Sequence, residues 1–244
     1  MCAVNYLNTK PLVYGFEKGL MAADVDLQFT YPADLATNLK EDKVDVGLIP
    51  VAALQELPEH FIISDYGIAA DGDVASVCLF SEVPLEGIKT IYLDYQSRSS
   101  VMLLKILLHD FYCISPELVS AESGYEQKIK GTTAGLVIGD RALSLRHRFS
   151  HIYDLAGGWK KLTGLPMVFA IWAANKKLPV DFKNKFNSTT GEGLQHLEEI
   201  AASIDYKPYN LTEYFTKNIR YILDDAAMEG MRLFEEKVRG MGGE

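Results

Sequence analysis

The stretch Asn5-Tyr6-Leu7-Asn8-Thr9 follows a short apolar run, and Pro11 opens a helix-like segment just beyond it. Asn and Thr at such a junction do one of two things. They satisfy the free amide donors of a helix start, or they line a ligand site where the same donors and the helix dipole attract an anion. A second junction, DYQSRSS (Asp94–Ser100), gathers three serines and an arginine between a strand and a helix. One N-cap needs one serine. Ser97, Ser99 and Ser100 exceed that need and point to a pocket for a carboxylate or phosphate, with Arg98 either pairing the ligand or forming a structural ion pair. A third junction, AADGDVASV (Ala69–Val77), sets Asp71, Gly72 and Asp73 before a β-rich run that contains Ser76. A hydroxyl in an apolar strand needs a partner when buried, because leaving it unpaired costs about 1–3 kcal/mol. That partner is either backbone or ligand. Asp71 and Asp73 read as turn formers rather than as an acid and a base.

Other chemistries find little material. His60, His109, His147, His151 and His196 avoid these three junctions and lack metal-ligand spacing. Cys2, Cys78 and Cys113 are odd in number and scattered, which excludes a disulfide framework or a zinc site. No nucleophile elbow, phosphate-binding glycine loop or dinucleotide fingerprint occurs. AGGWKKLTGLP (Ala156–Pro166) carries glycines, but Trp159 and Thr163 make it a packed lid rather than a phosphate cradle, and RHRFSH (Arg146–His151) reads as a basic surface turn. With so little acid–base machinery, a reaction here is one whose substrate supplies much of the driving force.

The elements that must hold these junctions alternate. Strand signals cover Val25–Tyr31, Val44–Pro50, Val74–Phe80, Thr90–Tyr95, Ala134–Asp140 and Met167–Ala174, with helical segments at PADLATNLKEDK, VAALQEL and VMLLKILLHDF between them. This order implies an α/β protein with largely parallel sheets. After Ala174 no strand is expected, and Ile222, Ala226, Met231, Phe234 and Val238 keep helical spacing up to Gly240, Gly242 and Gly243. Val74–Phe80 and Met167–Ala174 are long and apolar, and would cross between two lobes. Residues 1–76 and 173–244 then form one lobe and residues 77–172 the other. Ligands in open α/β sheets bind at the carboxyl ends of strands and in clefts between lobes, which selects Asn5–Thr9, Asp71–Ser76 and Ser97–Ser100.

Of 244 residues, 48% are apolar, and 24 basic against 33 acidic residues give a net charge of −9. That balance disfavours nucleic acid and anionic membrane as partners but leaves room for a small anion in a locally positive site. With no leader-like segment and no run of membrane-spanning length, the expectation is a reduced, cytoplasmic protein with a nearly complete N-terminus.

Read together, the three junctions resemble a family. YLNTKPL (Tyr6–Leu12), DVGLIPVAAL (Asp45–Leu54) and ADGDVASV (Ala70–Val77) look like the chorismate dehydratases of the futalosine route to menaquinone. SRSSVMLLKILL (Ser97–Leu108), IGDRAL (Ile138–Leu143) and WKKLTGLPMVFAIWA (Trp159–Ala173) extend the match in the expected order, so that it spans Ala3 to about Ala174. The resemblance implies an α/β, two-lobed, type II periplasmic-binding-protein-like fold with two crossover strands and a helical C-terminal region. It implies a reaction with no metal or organic cofactor, in which chorismate loses water to give 3-[(1-carboxyvinyl)oxy]benzoate. It also carries over Asn8 and Ser76 as catalytic residues, which would hold the substrate and polarise the departing 4-hydroxyl while the enolpyruvyl carboxylate takes the C3 proton. Thr9, Ser97, Arg98, Ser99 and Ser100 would bind substrate, Thr9 also being placed to cap the helix. The partner is a dicarboxylate small molecule, and the protein a monomer or homodimer.

Two alternatives share the fold. The related enzyme that releases 1,4-dihydroxy-6-naphthoate carries an SPCPND-type N-terminal stretch and uses a histidine base, whereas this chain has YLNTKP and no histidine at a junction. A non-catalytic binding protein or sensor for a small carboxylate fits the lobes equally well.

Overall fold

The computed structural model describes residues 1–30 and 32–241, with residues 32 and 33 described by backbone alone. The chain begins with β1 (Cys2–Val4), α1 (Lys10–Glu17), β2 (Gln28–Thr30), α2 (Pro32–Lys40) and β3 (Val46–Pro50). A ten-residue strand, β4 (Phe61–Ala70), follows, then β5 (Val77–Ser81) and β6 (Thr90–Leu93). Next come α3 (Arg98–Leu107), β7 (Glu117–Ser120), β8 (Thr133–Ile138), α4 (Gly139–Leu145), β9 (His151–Asp154) and α5 (Leu155–Thr163). The chain closes with β10 (Met167–Ala174), α6 (Val180–Glu192), α7 (Leu197–Ser203), α8 (Leu211–Glu213), β11 (Arg220–Ile222) and α9 (Asp225–Met241).

Two mixed sheets result. One has the order β11-β4-β10-β3-β1-β2 and the other β7-β6-β8-β5-β9. The β1 strand pairs in parallel with β2 and β3, as β6 does with β7 and β8. The expected parallel order fails at β5 and β10, which run antiparallel to their neighbours. Both are the strands by which the chain enters a sheet from the other one, so neither follows the strand–helix–strand crossover that makes a pair parallel.

Several expected elements differ in kind. Val51–Glu56 forms a 3-10 helix instead of an α-helix, and it ends where Leu57, which precedes Pro58, is held extended at ψ 129°. The strand expected over Val74–Phe80 begins only at Val77, since Ala75 sits in the left-handed region at φ 64° and breaks the ladder. Residues 71–76 are therefore the connection between sheets, not part of a long crossover strand. The other expected crossover, Met167–Ala174, lies wholly in the first sheet, where Ala170 faces Pro50 and Ala174 faces Val46. Four strands were not expected at all, β4, β7, β9 and β11. Tyr31, Gly242 and Gly243 lie outside the described residues, and α9 runs through Gly240.

Packing follows the apolar pattern. Leu12, Leu35, Ile49, Leu103, Leu136 and Ile171 are fully buried, and one apolar cluster extends through both sheets and the helices over them. Trp172 meets Phe186 edge-on at 5.3 Å between ring centres, and the Trp159 indole N–H donates to the Pro166 carbonyl at 3.2 Å. Ala156–Thr163, expected as a lid, is thus most of α5, anchored by a buried tryptophan. Among the described residues, no helix is long and apolar enough to cross a membrane.

Candidate active site

The carboxyl ends of β1, β3 and β8, the amino end of β5 and the start of α3 converge on one cavity. Its walls include Asn8, Thr9, Ser76, Ser97, Ser99 and Ser100. The void is ≈ 680 Å³ including the open solvent at its mouth.

The junction after β1 does not cap in the expected way. Thr9 holds the N-cap position of α1 with no side-chain bond to the helix amides. Its hydroxyl is buried without a partner, and so is the Asn8 carboxamide oxygen. Pro11 fills a first-turn position where a free amide would otherwise need a cap. Buried polar atoms normally find partners, so two orphans on one cavity wall are sites for a ligand's polar groups. Asn5 is exposed and takes no part.

Ser76 comes to the same wall through a braced turn. The Asp154 carboxylate accepts from the Val74 and Ala75 amides at 3.1 and 2.7 Å, and from Ala156 and Gly157 as the N-cap of α5. Burial and the neighbouring Asp73 push its carboxyl up to about 6, opposed by the Gly157, Val74 and Ala75 amides. Arg146 donates to the Ala75 carbonyl at 3.1 Å, so the first arginine of the expected basic surface turn is a brace beneath Ser76. The Ser76 carbonyl accepts from Gly139 N at 2.8 Å, and Gly139 needs its freedom: φ is 66° and an added Cβ would lie 3.3 Å from the Tyr6 ring. The Ser76 hydroxyl is 1% exposed and accepts from the Tyr214 hydroxyl at 2.8 Å. Tyr214 was not foreseen. Asp71 is engaged by Lys160 and Arg220 at 2.5 and 3.1 Å, in keeping with its reading as a turn former.

The serine-rich junction divides its labour. Ser97 caps α3, accepting from Ser100 N at 3.1 Å and donating to Ser100 Oγ at 2.8 Å. Ser99 Oγ accepts from Ala52 N at 3.1 Å, a tie from the second sheet's α3 to the end of β3. A serine hydroxyl has one proton and two lone pairs. Ser99 and Ser100 have each accepted a bond here and keep a proton to give, beside the positive end of a ten-residue helix. Arg98 does not join them: it pairs with Glu56, its side chain is 75% exposed, and it lies off the cavity wall.

Further bonds tie the two walls together. The Tyr6 hydroxyl donates to Gln96 Oε1 at 2.9 Å, and Leu7 N donates to Asp140 Oδ1 at 3.2 Å. Burial pushes the Asp140 carboxyl up to about 6, opposed by the Leu7 amide and Lys10. Behind Gln96, the fully buried Asp94 carboxylate accepts from Arg141 Nη2, the Tyr125 hydroxyl and Ile138 N. None of the five histidines lines the cavity. Among the described residues, no cluster of three or more His, Cys, Asp or Glu is arranged to hold a metal ion.

This geometry has relatives. The profile of a family described as menaquinone biosynthesis matches residues 1–239. The chain belongs to that family. A chorismate dehydratase of Thermus thermophilus is 28% identical over 229 residues, covering 84% of this chain and 83% of the relative. Among solved structures, a protein of Archaeoglobus fulgidus superposes with a TM-score of 0.75 at 15% identity, covering 99% of this chain and 97% of that one. The periplasmic aliphatic sulphonate binding protein of Escherichia coli superposes with a TM-score of 0.61 at 13% identity, over 99% of this chain and 85% of that one. The menaquinone-biosynthesis family member described here therefore has the fold of periplasmic binding proteins, as its sequence led us to expect.

Proposed function

We propose that this chain is a chorismate dehydratase, a carbon–oxygen lyase that converts chorismate to 3-[(1-carboxyvinyl)oxy]benzoate and water. The observation that carries the reading is the pairing, in one cavity, of unpartnered Asn8 and Thr9 side-chain oxygens with two serines that keep protons at a helix N-terminus. The 28%-identical chorismate dehydratase and the family match support it. In this reading a ring or side-chain carboxylate meets the Ser99 and Ser100 hydroxyls and the α3 amides. The C4–O bond breaks, the C3–H proton passes to the substrate's own enolpyruvyl carboxylate, and the C3–H electrons become the new ring π bond. The departing hydroxide and that proton leave as water. Aromatisation supplies the driving force, so positioning and hydrogen bonding by neutral side chains suffice. The step is redox-neutral and consumes no co-reactant.

The lobes of this enzyme would be residues 1–76 with the C-terminal region, and residues from 77 onward to the turn at 164–166. The second boundary moves back from 172 because β10 pairs entirely in the first sheet. The test is to mix the purified chain with chorismate, with no added metal or cofactor, and follow products by mass spectrometry. A species lighter by one water with a substituted-benzoate ultraviolet spectrum is expected. Unchanged chorismate that raises the melting temperature would instead identify a binding protein on the same scaffold.

A further inference from the structure

The dehydratase reading leaves one group behind the cavity wall without a role. Tyr214 is fully buried, its ring set edge-on to Tyr209 at 6.2 Å and tilted against Phe215 at 5.6 Å. Burial raises its hydroxyl well above the ordinary tyrosine range, so it is neutral and owns one proton. That proton is given to Ser76 Oγ at 2.8 Å. Ser76 has therefore accepted a bond on its oxygen, and its own proton must go to something other than Tyr214. Ser76 lines the cavity.

Asn8 stands on the same wall. Its carboxamide oxygen is buried without a partner, so it is an acceptor left open to the ligand. Tyr214 thus makes Ser76 a donor beside that acceptor.

We infer that Tyr214 is the positioning residue of this site, fixing Ser76 as a donor beside the unpartnered Asn8 oxygen so that together they grip an alcohol of the ligand. Resting on the dehydratase reading, that alcohol is the departing 4-hydroxyl of the ring. The chemistry is selective. An alcohol oxygen both donates and accepts, and so satisfies the pair. A carboxylate would face the Asn8 oxygen with negative charge, and an ammonium would leave the Ser76 proton without an acceptor. In the transition state the departing oxygen gains negative charge, and the bond from Ser76 strengthens as it does.

The experiment compares wild type with Tyr214→Phe in two ways, through kcat and KM for chorismate and through the calorimetric Kd of 3-[(1-carboxyvinyl)oxy]benzoate, which lacks the hydroxyl. We expect kcat/KM to fall about 10- to 100-fold, mostly in kcat, while the product's Kd stays within about twofold. A collapsed site would weaken both. Equal loss in the two readouts, or wild-type turnover by Tyr214→Phe, would overturn the inference. Should that variant fail to fold, Ser76→Ala reads the same bond through its melting temperature: stranding the buried Tyr214 proton lowers it by several degrees. An unchanged melting temperature would overturn the assignment. A wild-type chain that neither binds nor dehydrates chorismate would remove the dehydratase reading, while the Ser76→Ala melting shift would still report whether Tyr214 donates to Ser76.

Discussion

The two walls of the cavity are built by different rules. On the α3 side, Ser97 and Ser100 are three residues apart and bond each other, the local arrangement of a helix N-cap. On the opposite side, Ser76 takes its partner from Tyr214, 138 residues later, and Asn8 and Thr9 keep oxygens with no partner at all. A local wall is preorganised and presents fixed donors, which suits a charged group present in substrate and product alike. A wall assembled from distant segments with unsatisfied atoms suits a group that changes during reaction. Orphaned polar atoms are not by themselves the mark, since Trp172, Asn175 and Tyr221 carry them too. Among the described residues, only Asn8 and Thr9 carry theirs on the cavity wall.

The comparison can be broken by substitution, starting on the long-range wall. Asn8→Ala should lower kcat for chorismate about 100- to 1,000-fold with KM little changed, the cost of losing one preorganised group at a developing charge. Steady-state assay checks it, and full turnover would remove Asn8 from the chemistry. On the local wall, Ser99→Ala with Ser100→Ala should raise KM about 10- to 100-fold through lost bonds to a carboxylate, with kcat less affected.

The pH dependence of stability gives a smaller effect. Asp140 titrates at about 6 in the folded chain and near about 4 when unfolded. Between those values the folded chain holds a proton that the unfolded chain has released, so stability falls as pH rises through that window. Asp154, also pushed up to about 6, adds to the slope. Asp140→Asn keeps an acceptor for Leu7 N and should flatten the fall in melting temperature between about pH 4 and 6. The smallest change is expected at Arg98, whose pair with Glu56 lies at the surface. Arg98→Ala should shift KM less than about twofold, since exposed pairs contribute little. A tenfold rise would return Arg98 to the ligand.

How much could be read from the sequence follows the same division. The alternating strands, the two lobes and the serine-rich helix start rest on local signals and were legible. So was the meeting of Asn8 and Ser76 at one cavity, through motifs in register. The strand Phe61–Ala70 was hidden because Ser64, Asp65 and Gly67 interrupt its apolar run and its pairing with β10 shifts register twice. The strand Arg220–Ile222 is three residues long, too short to show a period. Thr9 looked like a cap because its type and position fit one, and only the packed structure turns its hydroxyl to the cavity. Tyr214 and Arg146 had no signal near the motifs they serve. A pair of tyrosine and phenylalanine in a helical tail looks like core, and it was the hydroxyl's partner across the fold that made Tyr214 more than that.

The most direct test of this account is steady-state kinetics on chorismate with wild type, Asn8→Ala and the Ser99→Ala, Ser100→Ala double variant measured side by side. The account predicts that the loss falls in kcat for the first variant and in KM for the second. Losses in the same constant for both variants would contradict it, because the two walls would then be doing one job.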